Sequence, residues 1–166
     1  MLFKVGERVV VPAFGLGDIV AIVNKGFAGG EKRQYYEVAN GHGTIWVPVA
    51  TAATAGLRAI TAKSQLAHFR RVLRSDPAEL ERDNRQRRVD LFGRLKNGGF
   101  QDLCEVVRDL TARAAGKALG EADNQTLRRA REDLCAEWAE ADGISRERAA
   151  EEIAALLAGA QKARAA

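Results

Sequence analysis

The sequence contains little of several residue types that commonly mark a function. Only two of its 166 residues are cysteine, three are proline and 6% are aromatic. Cys104 and Cys135 form no Cys-x-x-Cys pair and have no histidine pair nearby, which argues against a zinc site or a disulfide framework. We therefore predict two free thiols, no metal and a protein of the reducing cytoplasm.

Long apolar runs and catalytic patterns are also missing. No run approaches the ~20 apolar residues needed to span a bilayer, and strand-like sequence follows Met1 directly, so we expect neither a membrane span nor a signal peptide. His42 and His68 stand in no motif with a nucleophile. The glycine turn at residues 13–17 lacks the lysine-serine pair and the following helix of a phosphate loop. The sequence therefore predicts a protein that is not an enzyme and has no cofactor or small-molecule ligand.

Positive charge is present, and it is concentrated in the middle of the chain. The formal net charge is +4. Residues 61–96 hold ten basic and five acidic side chains, whereas residues 1–60 hold six and four, and residues 97–166 hold ten and thirteen. This excess predicts a polyanionic partner, either a nucleic acid or an acidic protein surface. A solvated helix surface is the ordinary alternative.

The first part of the chain, residues 1–58, has the pattern of a small β-barrel. Four strand-like runs lie at residues 8–12, 18–23, 33–38 and 44–49, and glycine-containing turns separate them. Short strands joined in this way favour the strongly bent sheet of Tudor-like or SH3-like barrels. Alternation assigns these side chains to the interior: Ile19, Ala21, Val23, Tyr36 and Val38. If Ile45 and Val47 also point inward, Trp46 points outward. Trp46 then either faces outward as an anchor for a partner or packs under the helices that follow.

Residues 57–60 lead away from the sheet, and beyond them the apolar spacing becomes that of helices. Residues 62–160 therefore predict an all-helical domain, and the fold class is α+β. The first helix has an apolar stripe formed by Leu66, Phe69, Val72 and Leu73. Asp76 followed by Pro77 predicts the start of a second, arginine-rich helix. A later stripe places Trp138 in the core, and residues 161–166 predict a frayed tail.

Five short motifs follow one another along the chain. They are MLFKVGERVVVP and FGLG within residues 1–17, WVPV and AGLR within residues 46–58, and CEVVRDL at residues 104–110. In this order they resemble the CarD/CdnL family of bacterial transcription regulators. The resemblance implies that residues 1–58 form a Tudor-like RNA-polymerase-interacting domain, shared with transcription-repair coupling factors, that binds the polymerase β subunit. It also implies a helical domain that contacts upstream promoter DNA and a protein that modulates open-complex stability.

The resemblance implies a polymerase-binding site on the β domain. A basic residue that the family carries after the second strand corresponds to Lys25, and a second one, before the Val-Pro pair, is replaced here by Trp46. The implied site comprises Lys25, Arg33, Trp46, Val47 and Pro48. The strand at residues 44–49 would pair edgewise with a strand of the polymerase.

The resemblance also implies a DNA-binding site on the helical domain, which comprises Asn84, Arg85, Arg87, Arg88 and Arg129. Asn84 stands where family members usually carry a tryptophan, used as a wedge at the upstream edge of the melted DNA. The arginines can bind phosphates independently of base sequence, whereas an asparagine is no apolar wedge. The implied DNA contact is therefore mainly with the backbone, and its effect on the open complex is altered.

Two alternatives belong to other functional classes. The first is an adaptor that binds polymerase through the β domain and another protein through its helices, which Asn84 and the acidic balance of residues 97–166 favour slightly. The second is a stand-alone nucleic-acid-binding Tudor-like module, which the near-neutral charge of residues 1–60 disfavours. For the regulator we expect a cytoplasmic, nucleoid-associated protein.

Overall fold

The chain folds into a β unit and a helical unit. A computed structural model of the protein describes residues 2–165, and its contacts divide the chain into two compact units, one ending at Ile60 and the other starting at Thr61. Within the described residues the β unit has five antiparallel strands and the helical unit has five α-helices. The predicted α+β fold class is therefore confirmed.

The strands of the β unit form one antiparallel sheet in the order β4-β3-β2-β1-β5. They are β1 (Arg8–Val11), β2 (Gly15–Lys25), β3 (Arg33–Asn40), β4 (Gly43–Pro48) and β5 (Arg58–Ala59). The expectation that residues 57–60 lead away from the sheet is wrong, because β5 pairs with β1 through Ala59 and Val9. Before β5 the chain turns back toward the sheet. In this turn the N–H of buried Leu57 donates to the carbonyl of Ala52 at 3.0 Å.

A β-bulge in β2 changes which side chains enter the core. The pairing of β2 with β3 shifts register between Ile19 and Ala21, and one inserted residue reverses the alternation beyond it. Ala21, Ile22 and Val23 are all half-buried, but Ile22 is the one that packs against the core, so the predicted interior position of Ala21 and Val23 is wrong. The buried core comprises Val9, Val11, Ile19, Tyr36, Val38, Val47, Ala52 and Leu57.

The helices of the helical unit surround one hydrophobic core. They are α1 (Leu66–Arg74), α2 (Asn84–Asn97), α3 (Phe100–Gly116), α4 (Glu121–Asp142) and α5 (Arg146–Ala165). All four residues of the predicted α1 stripe are buried. Trp138 is completely buried, as predicted, and its indole N–H donates to a Glu152 carboxylate oxygen at 3.3 Å. Residues 161–165 of the predicted tail belong to α5, and Ala166 lies outside the described residues.

α2 begins at Asn84, so its predicted start at Asp76 is wrong. The residue that caps α2 is Asp83, whose carboxylate accepts the N–H of Gln86 at 2.8 Å. Asp76 lies in the non-helical segment between α1 and α2. Both aspartates have suitable cap chemistry, so contacts from elsewhere in the fold must select between them.

Two side chains of α3 hold the segment before α2 out of a helix. Arg108 donates to the Ser75 hydroxyl at 2.8 Å, and the Asp109 carboxylate accepts the N–H of Ala78 at 3.0 Å. Arg108 and Asp109 also pair with each other at 2.8 Å, and both are buried. We call these two side chains the α3 clamp. A cap at Asp76 would accept the N–H of Ala78 or Glu79, and the clamp already engages the N–H of Ala78, which disfavours that helix start.

Asp83→Ala is expected to lower the free energy of unfolding by about 1 kcal/mol, because it removes the cap of α2. Asp76→Ala is the matched control: Asp76 is an exposed aspartate outside any helix, and its loss should change that free energy by less than about 0.5 kcal/mol. Urea unfolding followed by circular dichroism measures both variants. An equal loss in the two would contradict the assignment of the cap.

Candidate functional site

An exposed aromatic cluster lies on β2, β3, β4 and the β2–β3 hairpin. It consists of Lys25, Phe27, Tyr35 and Trp46, and we call it the Trp46 patch. The centre of the Phe27 ring lies 5.3 Å from that of Tyr35 and 6.4 Å from that of Trp46. Phe27 is 53% exposed and Trp46 41% exposed. Trp46 therefore faces outward, within a cluster of rigid apolar side chains that is open to a partner.

Lys25 and Glu37 hold the Trp46 side chain in position. The Nζ atom of Lys25 lies 3.6 Å from the centre of the Trp46 ring, a cation–π contact. The indole N–H donates to a Glu37 carboxylate oxygen at 3.3 Å, and Glu37 stands opposite Trp46 in the β3–β4 register. Because the tryptophan is already oriented, a partner that binds it would restrict little additional side-chain freedom.

The sheet register places the other predicted polymerase-binding residues around this patch. Arg33 is exposed and pairs with Lys25 beside the hairpin. Pro48 is half-buried opposite Tyr35, whereas Val47 is buried in the core of the β unit. Val47 therefore supports β4 from inside, while the charged and aromatic residues face solvent. β4 itself is an edge of the sheet.

Sequence reasoning missed two members of the patch, Phe27 and Tyr35. A signal for Phe27 is present in the sequence, since it stands between Gly26 and Gly29 in a glycine-rich hairpin tip. Such a tip offers no core into which a large apolar side chain could pack. An aromatic residue in this place is therefore expected to stay exposed, as Phe27 is.

Of the three predicted DNA-binding arginines on α2, two are exposed and one is not. Arg85 and Arg88 are exposed. Arg87 is 4% exposed, and its Nη2 atom lies 2.8 Å from the carboxylate of Asp123 on α4. Its Nη1 atom donates to two backbone carbonyls before α2, at 2.8 and 3.2 Å. The guanidinium of Arg87 is therefore engaged inside the helical unit.

Asn84 is exposed at the first position of α2, and its side chain contacts Arg87. Its side-chain oxygen accepts from the Nη2 atom of Arg87 at 2.7 Å. An indole ring has a donor but no acceptor, so it could not make this hydrogen bond to the guanidinium. Asn84 therefore helps to orient the buried guanidinium of Arg87.

Arg129 is exposed on α4, one helical turn before Asp133. Burial raises the pKa of the Asp133 carboxyl, and the positive charge of Arg129 acts in the opposite direction. The charge of Arg129 is thus partly offset by a neighbour on its own helix.

The cysteines and the acidic and histidine side chains are the candidates for thiol and metal chemistry. Within residues 2–165, no three or more His, Cys, Asp or Glu side chains are grouped so that they could hold a metal ion. None of the helices in this described part is both long enough and apolar enough to cross a membrane. Cys104 and Cys135 are free and buried, and burial raises the pKa of the Cys135 thiol.

Two comparisons with known proteins bear on these sites. The family model described as "CarD, C-terminal domain" matches residues 69–154, which include all of α2, α3 and α4. The chain is also 30% identical over 146 residues to "Putative transcription factor YdeB" of Bacillus subtilis (strain 168). That alignment spans 87% of this chain and 95% of the relative.

Proposed function

This chain belongs to the CarD family, as its motifs indicated, and on that premise we propose that it is a transcription regulator with two binding surfaces. The Trp46 patch and β4 dock on the β subunit of RNA polymerase. Exposed arginines of the helical unit contact upstream promoter DNA. Through these contacts the protein modulates the stability of the open promoter complex.

The observation that carries the docking proposal is the exposed, oriented tryptophan on an edge strand. In the part of the chain that the structure describes, the outer side of β4 pairs with no other strand, so a strand of a partner can add to it. Trp46 and Phe27 offer large apolar contact area beside the charge of Lys25. Aromatic anchors of this kind often dominate the binding free energy of an interface.

The exposed arginines of α2 support the DNA contact. Arg85 and Arg88 lie in residues 61–96, where the positive excess of the chain is concentrated. Arginine contacts to phosphates position a protein on DNA without reading base sequence. Arg87 takes no part in the proposed DNA contact, because its guanidinium is paired with the carboxylate of Asp123. Arg129 is retained as a weaker contact, since it lies beside a carboxyl group.

A second candidate is an adaptor that binds polymerase and a further protein but not DNA. The burial of Arg87 favours it, because α2 exposes fewer cations than the sequence suggests. The excess of acidic over basic side chains in residues 97–166 also favours the adaptor. The two candidates differ in one measurable property, which is salt-dependent affinity for DNA.

Binding of the full chain to a promoter duplex at several salt concentrations tests the DNA contact. In Arg85→Ala/Arg88→Ala we expect weaker binding, and the slope of log Kd against log salt should fall by about 2, roughly one for each lost phosphate contact. Arg148→Ala, an exposed arginine on α5, is the matched control and should leave the slope unchanged. If the wild-type protein shows no salt-dependent affinity for DNA, the result would favour the adaptor instead.

A further inference from the structure

A groove of about 610 Å³ lies on the helical unit between α4 and α5, and we call it the α4–α5 groove. Its volume is within the range of sites that bind small molecules. The side chains that line it include Leu127, Arg128, Arg131, Cys135, Arg146 and Ala150. Because two helices contribute these side chains, no single motif marks the groove, and the sequence predicts no small-molecule ligand.

Three arginines bring positive charge to the α4–α5 groove from both helices. Arg128 and Arg131 belong to α4, and Arg146 stands at the first position of α5. All three are exposed, whereas Cys135 is buried. Burial raises the pKa of the Cys135 thiol, and the positive charges of Arg131 and Arg146 act in the opposite direction. The charges of these two arginines are therefore felt at the apolar side of the groove.

The charges of the three arginines are available to a ligand. Glu132 and Glu147 also line the groove, but within residues 2–165 the three arginines form no ion pair with a carboxylate. Arg131 donates to the hydroxyl of Thr111 at 3.1 Å, which is a neutral acceptor. By contrast, the guanidinium of Arg87 on α2 is paired with a carboxylate inside the helical unit. The groove therefore offers cations that the fold itself does not neutralise.

We propose that the α4–α5 groove binds a small organic phosphate, with its phosphate groups on the three guanidinium groups and its organic body against Leu127, Cys135 and Ala150. Guanidinium groups match phosphate oxygens in a bidentate geometry. The start of α5 adds the partial positive charge of a helix N-terminus. The apolar side chains can cover the part of the ligand that carries no phosphate. An acidic protein segment would extend beyond a groove of this size.

Isothermal titration calorimetry of the full-length protein, with ATP as the probe, tests this inference. Inorganic triphosphate carries the phosphates without the organic body, so the wild type should bind ATP at least about tenfold more tightly. Arg128→Ala/Arg146→Ala should weaken ATP binding by at least about tenfold, because it removes charge-assisted hydrogen bonds. Ala150→Glu adds a carboxylate to the groove and should weaken ATP binding to a similar degree. Since these positions are exposed, an unchanged Tm is expected and verifies folding.

Controls separate this inference from the proposed DNA contact. Arg148→Ala removes an exposed arginine of α5 outside the groove, and Arg85→Ala/Arg88→Ala removes the exposed arginines of α2. Both variants should bind ATP as the wild type does.

Four results would overturn the inference. They are an unchanged ATP affinity in Arg128→Ala/Arg146→Ala, a loss of ATP binding in Arg85→Ala/Arg88→Ala, triphosphate bound as tightly as ATP, and a glutamate-rich peptide bound more tightly than ATP. Failure of the promoter-duplex experiment would leave the α4–α5 groove unaffected, because the arginines of α2 do not line it.

Discussion

Asp123→Ala is expected to lower the free energy of unfolding by about 3–5 kcal/mol. Asp123 is 7% exposed and its carboxylate is the charged partner of Arg87, which is 4% exposed. Without that carboxylate, the buried guanidinium keeps Asn84 and two backbone carbonyls as its hydrogen-bond acceptors among residues 2–165. The desolvation of its charge is then largely uncompensated. Thermal and urea unfolding measure the loss.

Two further variants separate the effect of a buried charge from that of lost contacts. Asp18→Ala breaks the exposed Arg8–Asp18 pair, at 3.4 Å, and should destabilise by less than about 1 kcal/mol. Arg87→Leu/Asp123→Leu removes both buried charges and should recover part of the loss. An effect of Asp123→Ala as small as that of Asp18→Ala would contradict the buried pair. It would also return Arg87 to the candidates for DNA binding.

Trp46→Ala is expected to weaken binding of the full chain to the polymerase β subunit by about thirtyfold, which corresponds to ~2 kcal/mol. The variant removes the largest exposed ring of the Trp46 patch and the surface on which Lys25 rests. Its fold should persist, because the side chain is 41% exposed and lies outside the core of the β unit. Competition binding with purified β subunit measures the affinity.

Val5→Ala provides the control for this effect. Val5 is a 56% exposed apolar residue in the turn before β1, outside the patch, and its truncation should leave the affinity unchanged. A polymerase affinity of Trp46→Ala equal to that of the wild type would refute docking through this patch, whatever the DNA experiments give. A loss in both variants to the same degree would indicate a general effect on the β unit.

The fold class and much of the core are readable from the sequence because burial imposes a period on the apolar residues. The α1 stripe, Tyr36, Val38 and Trp138 are all buried as the period predicts. A bulge is different, since residues 18–23 contain apolar side chains on both faces and permit either alternation. The pairing with β3 decides between the two, and that pairing is not visible in a single strand.

The start of α2 and the state of its arginines depend on residues far away in the sequence. Asp76 and Asp83 are both suitable caps, and contacts from the α3 clamp select the second. Arg87 stands among similar arginines, yet its partner Asp123 lies 36 positions further along the chain. Sequence periodicity describes one helix at a time, so it cannot tell a paired arginine from an exposed one.

The contacts of the α3 clamp lie apart from the exposed side of α2. Arg108 and Asp109 belong to the CEVVRDL motif and hold the segment that leads into α2. Arg94, on the inner side of α2, adds a link to α3 through Glu105 at 3.1 Å. The outward residues of α2, such as Phe92, face solvent on another side of the helix. The residues that hold α2 in place and the residues that it exposes are therefore separate, so substitutions on its outer side can change its surface while the scaffold stays intact.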